Sequence, residues 1–274
     1  MAGLAGACSP LSIFDALAPA DAAAAKVHAD LAYGQGPRQQ LDVYVPVASK
    51  APAAVVVVFY GGSWNSGRKE NYSFLGKALA ARGFIAMIAD YRLVPAVRFP
   101  EFIEDCAQAT HWAHTHAATY GGDPKRVFLL GHSAGAYNAA MVALDGRYLA
   151  ALGSSVAIVR GAALLAGPYD FLPLDATSTI AAFGQARNLT ETQPVAFAGR
   201  AAPPMFLATG EDDTTVKPRN TRALAGRLQA AGSPVTVKTY PGIGHIGILL
   251  ALSVPFRGQA PVLDDISAFI GGER

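Results

Sequence analysis

The run Ala53–Tyr60 reads AAVVVVFY, with no charged residue and four valines in succession. A half-exposed strand alternates polar and apolar residues. An unbroken β-branched run fits a strand buried on both faces, the situation of a parallel sheet covered by helices on each side. Phe84–Asp90, Arg126–Leu130, Gly161–Ala166, Met205–Thr209 and Val235–Tyr240 read the same way, and Arg38–Pro46 alternates like a half-exposed strand. Helix candidates lie between them at Tyr72–Arg82, Glu101–Thr119, Ala134–Leu144 and Thr221–Ala231. A last helix opens with Pro261 and lines up Val262, Leu263, Ile266, Phe269 and Ile270 on one stripe. Strand–helix alternation of this kind predicts an α/β fold with a mostly parallel sheet. One domain over residues 26–274 is expected. Phe171–Gly199 matches neither period and reads as a small cap or a long loop.

Composition narrows the function classes. The formal net charge is +2 and no basic run occurs, which argues against an electrostatic nucleic-acid binder. The longest uncharged stretches, such as Tyr148–Val159 and Ile246–Phe256, are too short to span a bilayer. Cys8 and Cys106 form no CxxC and no zinc spacing, and two cysteines make no disulfide framework. Residues 1–25 are Ala-rich and are expected to be a flexible leader. Leu4-Ala5-Gly6-Ala7-Cys8 is similar to the end of a bacterial lipoprotein signal. A truncated signal there would put a lipid anchor on Cys8 and the natural chain in the cell envelope; a plain leader implies the cytoplasm.

The chemistry gathers around Gly131-His132-Ser133-Ala134-Gly135, a G-x-S-x-G motif entered by the strand RVFLL and left by a helix-forming stretch. That setting is a nucleophile elbow, where a sharp turn lifts the serine above the sheet. His132 points elsewhere across such a turn and reads as structural. A serine hydroxyl needs a base within hydrogen-bond reach and a carboxylate to orient the base. Of the six histidines, only His245, in a glycine-flanked loop after the last strand, follows the candidate acids. Glu211, Asp212 and Asp213 compete for the acid. Asp213 is preferred on its G-x-x-D-x-x-V spacing, and the other two read as loop charges. His28 comes too early in the chain. The run His111, His114, His116 lacks an acidic partner at metal-ligand spacing and reads as helix surface.

Attack on a carbonyl builds an oxyanion, and backbone N–H donors fixed beside it supply roughly 3 kcal/mol each. Ala134 N–H is one expected donor. Gly62 and Ser63, in Tyr60-Gly61-Gly62-Ser63-Trp64 after the Ala53–Tyr60 strand, are the others, with Gly61 and Trp64 as substrate contacts.

These segments, together with DYRLVP at 90–95, FPEFIEDC at 99–106, GPYDF at 167–171, GEDDTTV at 210–216 and GIGH at 242–245, resemble the α/β-hydrolase serine esterases. The group includes hormone-sensitive-lipase-like carboxylesterases, bacterial feruloyl and acetyl-xylan esterases, and kynurenine formamidase. The resemblance spans roughly residues 40–250. It implies an eight-stranded, mostly parallel sheet, a triad of Ser133, Asp213 and His245, and no metal or organic cofactor. It also implies a small-molecule ester substrate turned over through an acyl-enzyme. One departure stands out: Tyr60 occupies the place where the family carries histidine before its glycine pair. The short insertion at Phe171–Gly199 favours short-chain or aryl esters over long-chain triglycerides. An arylformamidase would use the same triad, and a non-catalytic hydrolase-fold binding protein is the alternative of another class.

Overall fold

The computed structural model describes residues 10–48, 52–199 and 202–272; Cys8, with the lipid anchor expected on it, lies outside them. Eight strands form one sheet in the order β1-β2-β4-β3-β5-β6-β7-β8. They are β1 (Ala24–Ala32), β2 (Gln40–Pro46), β3 (Ala53–Phe59), β4 (Ile85–Ala89), β5 (Gly122–His132), β6 (Val159–Leu165), β7 (Met205–Gly210) and β8 (Val235–Tyr240). Only β2 runs against its neighbours. The helices are α1 (Pro10–Leu17), α2 (Ser73–Ala81), α3 (Glu101–His116), α4 (Ala134–Leu144), α5 (Arg147–Ala150), α6 (Thr177–Phe183), α7 (Arg219–Ala230), α8 (His245–Leu250) and α9 (Val262–Gly272). Helices α2 and α9 meet each other, as do α3 and α4, and the centre of the sheet is buried between these layers. Every residue of β3 is buried, as its uninterrupted apolar run requires.

The register puts the chemistry at one end. β3 and β5 pair in parallel, with Phe59 opposite Gly131, so the loop after β3 and the turn after β5 leave the sheet side by side. β7 and β8 carry the next two loops on the same edge, with Gly210 opposite Tyr240. In open parallel sheets the carboxyl ends of the strands are where sites form.

Three departures from the sequence reading have physical causes. β1 escapes apolar-pattern reading because it is an edge strand, mostly exposed and interrupted by two register shifts. The domain boundary expected at residue 25 falls inside it. Phe171–Gly199 contains α6 and two 3₁₀ turns, Leu189–Thr192 and Pro194–Ala196, each too short to show a period. The expected flexible leader holds α1, which is docked: Phe14 meets Phe74 edge-on at 5.4 Å and Phe256 at 5.9 Å.

Asp15 on α1 also caps another helix. Tyr72 at the start of α2 supplies no side-chain cap. Asp15 Oδ1 accepts the Phe74 N–H at 2.7 Å, and the Ser73 hydroxyl donates to its other oxygen. A carboxylate at a helix start satisfies an orphan donor and meets the positive end of the dipole. Asp15→Ala therefore costs about 1 kcal/mol, read as a lower urea midpoint with an unchanged slope.

Candidate active site

Ser133 sits between the end of β5 and the first residue of α4, with φ 55° and ψ −123°. A non-glycine residue held there costs on the order of 1–3 kcal/mol and persists only where its surroundings enforce it. Here they do. Ser133 N–H donates to the Leu165 carbonyl of β6 at 2.9 Å, and its carbonyl accepts from Tyr137 N–H in α4. Gly135 must be glycine, because a Cβ would lie 2.0 Å from the Phe59 carbonyl oxygen. The elbow is thus pressed directly onto the end of β3.

The hydroxyl meets the expected base. His245 Nε2 lies 2.9 Å from Ser133 Oγ, and His245 Nδ1 lies 2.7 Å from Asp213 Oδ2. Asp213 is buried, and its Oδ1 accepts the N–H groups of Thr215 at 2.9 Å and Val216 at 2.8 Å. An ionised carboxylate only accepts, so Nδ1 carries the proton and the Nε2 lone pair faces the hydroxyl hydrogen. Of the three competing acids, Glu211 and Asp212 point to solvent and Asp213 alone reaches the histidine. Backbone bonds lock the acid loop to the base loop: Asp212 N–H donates to Ile243 O and Glu211 N–H to Tyr240 O, both at 3.0 Å. His245, expected in a loop, is the first residue of α8.

The loop after β3 turns back over the serine. Gly62, Ser63 and Trp64 have φ of 135°, 51° and 60°. The Gly62 carbonyl is turned away and accepts from Asn65 N–H, Ser66 N–H and Ser66 Oγ. A Cβ on Gly62 would lie 2.3 Å from the Ser66 carbonyl oxygen. Gly62, Ser63 and Ala134 line the clefts beside Ser133, and Ala134 N–H, at the first position of a helix, lacks an intrahelical acceptor. Gly61 differs, because its N–H is consumed by Tyr72 Oη at 3.0 Å. Trp64 reaches the cleft wall but is mainly an anchor. It is buried, donates Nε1–H to Asn138 Oδ1 at 3.1 Å, and packs edge-on against Tyr137 and Phe183.

Tyr60 holds this loop from below. Its hydroxyl accepts from Arg38 Nη2 at 2.6 Å, and its ring stacks on Tyr91 at 4.6 Å. The same Arg38 Nη2 reaches the Gly67 carbonyl at 2.7 Å, so one guanidinium ties the residue before the loop to the residue after it. Burial lifts the nearby Asp90 carboxyl above the ordinary carboxylate range, with Arg38 opposing the shift.

Sequence reasoning undervalued one residue. His132 is buried, its Nε2 lies 3.0 Å from the His245 carbonyl oxygen, and its ring centroid is 4.9 Å from that of His245. Burial first, and then the neighbouring His245, push its pKa down to about 3. The remaining histidines stay apart from the site: His28 meets Tyr120, His114 bonds to the Pro124 carbonyl, and His116 stacks on Trp112. Among the described residues no group of His, Cys, Asp and Glu could hold a metal ion, and no helix is long and apolar enough to cross a membrane.

Two clefts open on either side of Ser133. One, of about 290 Å³, is walled by Trp64, Phe171 and Val216 and has Lys217 and Arg219 at its rim. The other, of about 300 Å³, runs past His245 between Tyr72, Ile246, Leu249 and Leu11 of α1.

In sequence and fold the chain is similar to known esterases. A family model described as BD-FAE matches residues 41–228. Isoprenylcysteine alpha-carbonyl methylesterase ICME of Arabidopsis thaliana is 29% identical over 274 residues, covering 90% of this chain and 63% of its own. Esterase LipQ of Mycobacterium tuberculosis is 28% identical, covering 89% and 63% respectively. The chain thus spans just under two thirds of the length of these relatives. Among solved structures, Esterase B from Lactobacillus rhamnosis superposes with a TM-score of 0.83 at 21% identity, over 96% of this chain and 90% of that one. The sheet, its flanking helices and this likeness make the fold that of the α/β-hydrolases.

Two outcomes follow from the geometry. Asp213→Asn keeps the shape of the acid but cannot stabilise an imidazolium, and lowers kcat on a nitrophenyl ester by about 10⁴. Asp212→Asn, a solvent-facing change, stays within about tenfold. The buried His132 gives a pH signature of its own. The unfolded chain binds its proton below about pH 6.5, while the folded protein excludes it down to about pH 3. Stability is therefore unaffected above the unfolded value and falls with decreasing pH between those limits, by about 1.4 kcal/mol per pH unit. His132→Gln removes one proton's worth of that slope, seen by comparing urea midpoints of variant and parent at pH 4.5 and pH 7.5.

Proposed function

Because the chain belongs to the BD-FAE family, we propose that it is a serine carboxylic-ester hydrolase acting through an acyl-enzyme on short-chain or aryl esters. The observation that carries this reading is the continuous hydrogen-bond line from Asp213 through His245 to Ser133, at 2.7 and 2.9 Å, beside the backbone of Gly62, Ser63 and Ala134 that borders the same clefts. That the relatives are named a methylesterase and an esterase supports ester hydrolysis.

In this mechanism His245 takes the Ser133 proton as Oγ attacks the ester carbonyl carbon. Asp213, already held by two backbone N–H groups, stabilises the imidazolium that forms. The oxyanion rests on the N–H groups of Gly62, Ser63 and Ala134. Gly61 is outside this set because its N–H serves Tyr72. His245 then gives its proton to the leaving alcohol as the carbon–oxygen bond breaks. A water, deprotonated by the same imidazole, hydrolyses the acyl-enzyme and regenerates the serine. The size of the cleft between Trp64, Phe171 and Val216, about 290 Å³, supports short or planar acyl groups.

Ser133→Ala removes the nucleophile and little packing. Turnover of p-nitrophenyl acetate falls by about 10⁶ in kcat, and the melting temperature is unchanged. Retention of a tenth of the parent rate would place the nucleophile elsewhere.

A further inference from the structure

One side chain outside the triad lies against both the base and the loop after β3. His132 directly precedes the nucleophile, and its Nε2 lies 3.0 Å from the carbonyl oxygen of the base. The two imidazole rings meet at 4.9 Å with a 41° tilt. On its other edge, His132 Nδ1 faces Gly61 so closely that a Cβ there would lie 3.0 Å from it. A carbonyl accepts only, so Nε2 carries the hydrogen and Nδ1 is a bare lone pair. That lone pair is buried with no partner among the described residues. The proton that would satisfy it is excluded by burial and by His245 alongside.

This arrangement is costly. A buried acceptor without a partner forfeits its hydration, and an apolar side chain such as leucine would bury no unpartnered acceptor there. Its return lies in the bond to His245. That carbonyl belongs to the first residue of α8, six residues long, which has little stability of its own. A second donor on it fixes the one residue whose imidazole must stay within reach of Ser133.

We propose that His132 is a positioning residue for the serine hydrolase chemistry. Its Nε2–H, through the His245 carbonyl, sets the place of the base over Ser133, and its ring edge sets the approach of the Gly61 loop to the same serine. The proposal rests on the ester-hydrolase reading and concerns the step in which His245 accepts the Ser133 proton. Ring contact alone would tolerate any flat side chain, whereas positioning requires a donor at the reach of Nε2.

Glutamine carries an amide N–H near the place of Nε2, and asparagine stops short, near Nδ1. Comparing His132→Gln with His132→Asn therefore varies reach while keeping polarity. Positioning predicts that His132→Asn loses about 10²-fold in kcat on p-nitrophenyl acetate, the order of loss for a misplacement of about 1 Å. KM stays within about threefold, and Ser133 reacts correspondingly slowly with a nitrophenyl phosphonate. His132→Gln recovers most of both rates, to within about fivefold of the parent. Equal rates in the two variants, whether both high or both low, overturn the proposal, as does a loss in Asn that its unfolded fraction at assay temperature accounts for. If the parent protein neither hydrolyses the ester nor takes the phosphonate on Ser133, the ester-hydrolase reading falls and this proposal with it. A parent that does both, with variants alike, leaves that reading standing and removes only the role of His132.

Discussion

The close approach of two backbones, the elbow at Ser133 and the end of β3, is the constraint on which the site depends. With Phe59 and Gly131 paired in register and Gly135 against the Phe59 carbonyl, there is no room for a side chain between them. The serine takes a backbone conformation it would not choose, and pays for it with bonds to Leu165 and Tyr137 from the two elements on either side. A strained nucleophile held this way cannot relax into the site, so its hydroxyl stays where the base can reach it. The stability that enforces the strain comes from the buried centre of the sheet, which is why β3 and β5 are apolar throughout the paired segment.

The loop that closes over the serine is built by a different means. Three successive residues of positive φ cannot be held by strand pairing, so polar side chains hold them instead. Tyr72 removes one N–H from play, Arg38 bridges Tyr60 to Gly67, and the Lys69 N–H beyond the loop donates to Asp90 at 2.9 Å. Tyr60 serves this loop as a long side chain whose polar tip reaches the Arg38 guanidinium. Burial lifts the pKa values of Tyr60 and Tyr72 and keeps both hydroxyls protonated. These supports therefore hold while other groups of the site titrate.

What was legible in the sequence follows from the kind of physics involved. The central strands announce themselves because burial on both faces forces unbroken apolar runs. Ser133, Asp213 and His245 could be named because strand ends and chain order restrict where each can stand, and the geometry brings all three together. The edge strand β1 shows no apolar run because most of it is exposed. Helix α1 was hidden by its setting in an Ala-rich stretch, although Phe14 and Asp15 were the residues to weigh. The use of Gly61 was beyond sequence reasoning: a peptide N–H carries no letter, and only the position of Tyr72 shows that it is taken. His132 reads as structural in the sequence because the motif marks the serine and says nothing of what its neighbour touches.

The electrostatics of the site favour neutrality wherever charge is not needed. In the proposed mechanism His245 becomes a cation between a carboxylate that stabilises it and a second imidazole that could oppose it. If His132 were protonated, two positive rings at 4.9 Å would repel in a poorly hydrated setting, and the proton would be harder to place on His245. Burial prevents this by keeping His132 uncharged far below neutral pH. Among the described residues, Asp213 is the carboxylate bonded to His245, and its other oxygen accepts from two backbone donors that hold it in place. In the proposed mechanism the field at His245 is therefore set by a carboxylate held by backbone donors and an imidazole kept neutral by burial, the kind of fixed surroundings that preorganisation requires.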